Sequence, residues 1–337
     1  MNGTEELKLR LVRVPGDSPD FQLFTQMLKA MMSILNEDQE KRRSVLKELA
    51  EFQAEDGSFG FIMGKNVPSE ARVDFVYTPT YIAAAIFMRE LFNLEKGSEE
   101  SSYIGILEKA LAFCLGRGLR GHGYEAEKGM LEAIDIFRKG GLKNFLATAP
   151  NICPEFHAMI WQIIDRDLPE IMSIRKNSHW SDKSSIDALF LLQEIRPQKR
   201  LYLAYGSNMS TSRMMERCPQ ARFVGTTEIK NWELRFHYYA DIEKRVGART
   251  PTVVWEITND DEVQLDYCEG FPKHYTKEYI VVQINDVNIS AMAYVMTEWK
   301  KHEHPKAKLK PEEDYLAMIR RGYAEHGFKE ELIRGES

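Results

Sequence analysis

Arg196-Pro-Gln-Lys-Arg-Leu-Tyr-Leu-Ala-Tyr-Gly-Ser-Asn208 is where the chain changes character. Arg196 to Arg200 breaks a helical rhythm, and Leu201 to Tyr205 is a short apolar run stopped by Gly206. A run of that kind, bounded by a turn residue, reads as a buried strand. Further β-branched runs follow at Thr252–Ile257, Tyr279–Ile284 and Ile289–Met296, and helix returns over Leu309–Glu331. The predicted fold is therefore multidomain, with an all-α part over residues 1–197 and an α+β part over residues 198–337.

Upstream of the boundary the apolar residues recur every three or four positions. Phe24, Leu28, Met31, Met32 and Leu35 share one stripe, and Val45, Leu46, Leu49 and Phe52 form the next. A loop rich in Gly, Pro and Ser spans Glu55–Pro79. Helical patterns follow over Thr80–Leu94, Ser101–Leu115, Glu125–Phe137, from Pro154 to about Arg166, and over Ser184–Glu194. Short Gly-containing loops between helices predict stacked antiparallel hairpins. Leu7 to Val14 alternates and reads as a short strand.

Composition bounds the function. A chain of 337 residues suits two domains, and 43% hydrophobic with 28% charged residues marks a globular protein. Basic and acidic residues number 26 against 29 up to Arg200 and 19 against 22 beyond it, so neither part is a basic nucleic-acid module. No apolar run is long enough to span a membrane, and the first residues lack a signal-peptide core. Cys114, Cys153, Cys218 and Cys268 are scattered without a Cys-x-x-Cys, which fits a reducing cytoplasm. A cytoplasmic protein without nucleic-acid or membrane partners is expected; the oligomeric state is left open.

Two features carry chemistry. Gly206-Ser207-Asn208 at a strand end lets a ligand approach backbone N–H groups and adds a hydroxyl and an amide, although such a turn is also common without function. In Leu265-Asp-Tyr-Cys-Glu-Gly-Phe-Pro-Lys-His-Tyr275, Asp260 and Asp261 are candidate caps for a short helix that Gly270 ends. Glu269 would then sit at the negative end of that helix, which raises a carboxylate's pKa and makes it a better base. The plain alternative is one more solvated acid. Cys268 beside it reads as a packing residue. Cys153 and His157, spaced i and i+4, are too few for zinc and read as core and as pocket or surface.

Tyr205-Gly-Ser-Asn-Met, Arg217-Cys-Pro-Gln-Ala-Arg, Val253-Val-Trp-Glu-Ile, Leu265 to Tyr275 and Tyr315-Leu-Ala-Met-Ile-Arg-Arg-Gly-Tyr together resemble the γ-glutamylcyclotransferase-like family over about residues 200–333. The resemblance implies a small mixed β-barrel with flanking helices around one pocket. It implies that Tyr205, Gly206, Ser207 and Asn208 hold a γ-glutamyl group, that Glu269 is the acid/base, that Tyr275 and Tyr315 close the pocket, and that no metal or organic cofactor is used. The substrate would be a small-molecule or peptide γ-glutamyl amide, cyclised to 5-oxoproline with release of an amine or amino acid. Arg249-Thr-Pro-Thr252, where many relatives have Gly, and the aromatic Phe236-His-Tyr-Tyr-Ala240 depart from the pattern and would alter the leaving-group side.

Phe52-Gln-Ala-Glu-Asp-Gly-Ser-Phe-Gly60 resembles the turn of terpenoid-cyclase and prenyltransferase α/α toroids, with Gly116 to Gly123 as a degenerate second copy. That resemblance implies a partial toroid in which the turn ties one helix end to its neighbour and packs an aromatic ring. The cyclases' Asp-x-Asp-Asp is absent, so the helical part is expected to be a scaffold. The rival readings are a non-catalytic γ-glutamylcyclotransferase-like binding module, against which the retained Glu269 argues, and a main activity in the helical part.

Overall fold

In a computed structural model the described residues are 41–59, 79–80, 82–88, 100–117, 154–155, 157–162, 164–165, 197–303 and 311–329. The predicted strand at 7–14, the helices at 21–35, 125–137 and 184–194, Cys153, and the second turn copy beyond Arg117 lie outside them. Contacts divide the chain into two units: residues 1–145 with 170–196, and residues 146–169 with 197–337.

In the first unit, α1 spans Arg42–Ala50 and α2 spans Glu100–Arg117, and residues 79–88 are helical at every described position. Val45, Leu46 and Leu49 are buried on α1, as their spacing predicts. The Asp56-Gly-Ser-Phe59 turn is built on side-chain bonds. Asp56 Oδ1 accepts from the Ser58 N–H and hydroxyl at 3.0 and 2.6 Å, and Gln53 Nε2 donates to the Ile106 carbonyl on α2 at 2.8 Å. Phe59 packs 5.9 Å from Phe87, and its N–H donates to the Thr80 hydroxyl at 2.8 Å. Gly57 has φ +90°, and a Cβ there would come 2.3 Å from the Lys109 carbonyl, so only glycine fits. The turn thus joins the end of α1 to the middle of α2 and to Thr80, with the Phe59 ring packed beside Phe87. The described residues stop short of a toroid.

The second unit is an α+β fold around one mixed sheet. Its strands are β1 Lys199–Ala204, β2 Arg222–His237, β3 Tyr239–Thr258, β4 Tyr275–Ile284 and β5 Val287–Met296, in the order β2-β3-β1-β5-β4. β1 pairs antiparallel with β3 and parallel with β5, while β2–β3 and β4–β5 are antiparallel hairpins. The short helices α3 (Thr211–Arg217), α4 (Asn259–Glu269) and α5 (Glu298–Lys301) precede the C-terminal helix α6 (Glu313–Glu325). The four strands read from sequence are present. The long β2 and the first half of β3 add to them, and Arg249 to Thr252 lies inside β3. Leu203, Ala204, Val253, Val254, Ile257, Met292 and Ala293 are buried in the core between sheet and helices.

The two sheet edges approach each other: the Thr227 hydroxyl on β2 donates to the Gln283 carbonyl on β4 at 2.6 Å. Further along, residues 154–165, helical where described, cover the same β4 edge. Gln162 accepts from the Tyr279 N–H at 2.8 Å and donates to the Lys277 carbonyl at 2.9 Å. A side-chain amide here satisfies the donor and acceptor that an open edge would expose. The sequence reading put this segment with the helical part, whereas the contacts place residues 146–169 in the second unit. His157, expected at a pocket or surface, is instead buried against Trp161 and Tyr279. Burial and the nearby Arg200 charge push its pKa down to about 3, so it is neutral.

Candidate active site

β1 delivers the chain from the core to Gly206, and Ser207–Met209 then make one tight helical turn. Trp255, buried on β3, donates from Nε1 to the Asn208 carbonyl at 3.2 Å and holds that turn down. From the other side, Gly322 on α6 lets the helix close in: a Cβ there would lie 2.7 Å from Met209 and Ser210. Glu325 accepts from the Thr211 N–H at 2.7 Å, and His326 bonds the Met209 carbonyl at 3.0 Å. The loop is thus clamped between β3 and α6. Gly206 has φ −112°, so it is not in the left-handed region that favours glycine. What it supplies is space, since a Cβ would sit 3.2 Å from the Ala240 Cβ.

Glu269 is the last residue of α4. Thr258 caps the start of this helix and forms a reciprocal capping box with Asp261. Asp260 and Asp261 therefore lie inside the first turn and are not the cap. Gly270 ends the helix at φ +64°, as expected, and a Cβ there would meet His274 Nδ1 at 2.6 Å. The Glu269 carboxylate is 18% exposed. Its Oε1 receives Arg217 Nη1 at 3.0 Å and Asn208 Nδ2 at 3.3 Å. Arg217 also donates to Asn208 Oδ1 at 3.0 Å, and Asn208 donates to the Tyr202 hydroxyl at 2.9 Å. Burial raises the Glu269 pKa above the usual carboxylate value, while Arg217, the Asn208 amide and Arg213 hold it back. Desolvation is the cause on display, where the sequence reading invoked the helix end.

Tyr275 and Tyr315 converge on Ala240. The Tyr275 hydroxyl donates to the Ala240 carbonyl at 3.0 Å, and the Tyr315 hydroxyl accepts from its N–H at 3.1 Å. Burial raises the pKa of both, that of Tyr315 to about 12, so they stay protonated. The Tyr205 hydroxyl donates to the Tyr294 carbonyl at 2.5 Å, which fixes the strand end.

All seven residues singled out in the sequence (Tyr205, Gly206, Ser207, Asn208, Glu269, Tyr275 and Tyr315) line one cleft of about 540 Å³. Tyr202, Arg213, Arg217, Tyr294 and Lys300 line it too and were not assigned there. Arg217 has a retrospective signal, because a half-buried carboxylate needs a cation. Cys268, expected to pack, is exposed at the cleft. Of the two departures from the family pattern, Tyr239 and Ala240 reach the cleft and Arg249 to Thr252 do not. Among the described residues His237, Asp241 and Glu243 hold potential metal-ligating atoms within 4.8 Å of one another. The Lys301 ammonium already sits there, 3.2 Å from Asp241 and 3.0 Å from Glu243, and supplies the positive charge.

An α+β domain that presents a half-buried carboxylate and a backbone turn to one cleft is the class these features define. Residues 202–317 match the family model described as Gamma-glutamyl cyclotransferase, AIG2-like, and are a domain of that type. A Mus musculus protein named Gamma-glutamylcyclotransferase is 26% identical over 148 residues, 39% of this chain and 73% of the relative. An uncharacterized protein from Homo sapiens has a solved structure that is 25% identical, with a TM-score of 0.36, covering 42% of this chain and 89% of that one. A solved gamma-glutamyl cyclotransferase is 24% identical with a TM-score of 0.35, covering 41% and 88%. Among the described residues no helix is long and apolar enough to cross a membrane.

Proposed function

We propose that the second unit is a γ-glutamylcyclotransferase-type enzyme, which converts a γ-glutamyl amide to 5-oxoproline and releases an amine or amino acid. The observation that carries this reading is Glu269, half-buried at the open end of α4 and facing the Gly206 turn across one cleft.

The substrate's α-amino group attacks its own γ-carbonyl and closes a five-membered ring. Because the reaction is intramolecular, most of the task is to hold the folded-back conformer. The α-ammonium gives up one proton before attack and the ring nitrogen gives up a second after it, while the departing nitrogen takes one as the C–N bond breaks and another as it leaves as an ammonium. Glu269 accepts the proton lost before attack and delivers one to the departing nitrogen, and the ring nitrogen's second proton passes by the same carboxylate to the released amine. Both of its hydrogen bonds end on Oε1, so Oε2 is the oxygen that exchanges the proton. A carboxylate with a raised pKa is the better base for this transfer. Backbone N–H groups at Gly206 and Ser207 bind the developing oxyanion. Tyr275 and Tyr315, both protonated and both anchored on Ala240, keep water from the reacting atoms.

The test is incubation of the full chain with a panel of γ-glutamyl amino acids, peptides and amines, with 5-oxoproline measured by mass spectrometry. Release from at least one compound, abolished by Glu269→Gln, supports the reading. No release from any of them, alongside tight binding of a γ-glutamyl analogue, would favour a binding module instead.

A further inference from the structure

Three of the five acidic residues of α4, Glu262, Asp266 and Glu269, are spaced by four and three positions, so they lie along one face of the helix. Each is gripped by cations or donors from other elements of the fold. Glu269 is held by Arg217 on α3, as described. Asp266 meets Lys277 on β4 at 2.8 Å and accepts from the Tyr294 hydroxyl on β5 at 2.5 Å. Glu262, fully buried, meets the same Lys277 at 2.7 Å and Arg200 on β1 at 3.2 Å. Arg200 continues the chain outward: it reaches Asp165 at 3.3 Å and stacks over the Trp161 ring at 3.8 Å. The Tyr279 hydroxyl closes this end by donating to Asp165 at 2.5 Å. Two cations and three carboxylates therefore alternate in the interior from residues 154–165 to the helix that bears Glu269.

We propose that Asp165 and Arg200 are positioning residues for Glu269, acting through the rotational setting of α4; the inference rests on the reading of Glu269 given above. A buried ion network of this kind is a poor device for stability alone, because apolar residues of similar volume do as well or better. What it adds is a defined geometry. Side-chain ends lie about 5–6 Å from a helix axis, so a turn of α4 by roughly 10° carries the Glu269 carboxylate about 1 Å. A displacement of that size can cost ~10²-fold in rate. Gln162, bonded to both Lys277 and Tyr279, seats the segment that supplies Asp165. The network is thereby fixed at the end remote from the cleft.

The experiment uses the full chain with Asp165→Asn, Asp165→Glu and Arg200→Lys. The first readouts are kcat and KM on the best γ-glutamyl compound of the panel. The second is a titration of the Glu269 carboxyl by 13C NMR, which needs no turnover. Asp165→Asn should lower kcat by ~10-fold with KM within about twofold. It should also move the Glu269 titration to higher pH, because the Arg217 and Asn208 contacts that hold it down loosen. Asp165→Glu should restore most of the kcat. If Asp165→Asn does not fold, Arg200→Lys, which keeps the buried charge, carries the same expectation. A lower melting temperature with unchanged kcat and an unmoved Glu269 titration would overturn the proposal. If the wild-type chain turns over no γ-glutamyl compound, the reading of the cleft fails. The titration still decides this inference: a moved Glu269 supports it and an unmoved one sinks it.

Discussion

Arg217 stands 3.0 Å from Oε1 of Glu269, and the same guanidinium is 3.0 Å from Oδ1 of Asn208. One cation thus orients both the proposed base and the turn that faces it. The arrangement explains why a carboxylate largely withdrawn from water is tolerated at the end of a helix. It also sets the two opposing influences on Glu269, burial upward and Arg217 downward.

Replacing Glu269 with Gln keeps the shape and removes the proton acceptor. Turnover should fall by at least ~10²-fold with little change in affinity for a γ-glutamyl analogue. Initial rates of 5-oxoproline formation and calorimetric binding check the two halves separately. Near-normal turnover would remove Glu269 from the mechanism.

Arg217→Met should shift the acid limb of kcat/KM to higher pH. The sign follows from the charge: Arg217 favours the ionised carboxylate, so its loss leaves burial unopposed and Glu269 binds its proton more tightly. Other charged or titratable groups around Glu269 include Arg213 from α3 and Cys218 just after it, Tyr202 from β1 and Tyr205 just after it, Tyr275 from β4, Tyr315 from α6, and His274 and Lys300 at the same cleft. The tyrosines and Cys218 all have raised pKa values, so none of them ionises across the acid limb. An acid limb unmoved in Arg217→Met would detach that limb from Glu269.

The parts of the fold that were legible in sequence are those with a local cause. Leu201 to Tyr205 is apolar on both faces because β1 is a central strand, and Gly270 ends α4 because only glycine fits its φ of +64° beside His274. β2 escaped notice because most of its residues are partly exposed, which blurs the alternation that marks a strand. Its hairpin turns at Tyr238, with φ +77°, where no Gly or Asn announces a turn. The site's anion and turn were readable from motif order. Its counter-ion was not: Arg217 opens one of the motif stretches, but nothing local shows that it, among 45 basic residues, is the one that pairs with Glu269. Asp165 and Gln162 are further out of reach: their partners lie 35 and 115 or more positions away in the chain.

Lys277→Met should be among the most damaging single changes outside the cleft. Lys277 is 0% exposed and pairs with both Glu262 and Asp266. Removing one partner of a buried ion pair costs about 3–5 kcal/mol, because the remaining charges stay buried without compensation. Denaturant unfolding should show that loss. A change below about 1 kcal/mol would mean that Arg200 and Tyr294 suffice for the two carboxylates.

Gly206→Ala separates space from backbone conformation. The backbone at Gly206 is at negative φ, so the variant should fold and melt close to the wild-type chain. Its methyl would press on the Ala240 Cβ at 3.2 Å and stand 3.5 Å from the Tyr315 hydroxyl, at the wall of the cleft. Affinity for a γ-glutamyl analogue should therefore fall several-fold while stability changes by less than about 1 kcal/mol. Equal binding by both proteins would show that the turn does not approach the ligand.

The boundary of the second unit has its own consequence. A fragment starting at Gln198 contains every residue that lines the cleft, and its core is large enough to fold. It lacks residues 146–169, however, and with them Trp161 under the Arg200 guanidinium, Asp165 beside it, and the Gln162 amide on the β4 edge. Loss of the desolvated cation–π contact alone is worth about 2 kcal/mol. The exposed edge would also offer free N–H and C=O groups to other chains. A fragment starting at Leu146 keeps all three contacts. The expected order of melting temperature and solubility is thus the Leu146 fragment above the Gln198 fragment, by circular dichroism and by light scattering on concentrated samples. If the Gln198 fragment melts with the longer one and stays monomeric, residues 146–169 contribute nothing to the stability of the unit that carries Glu269.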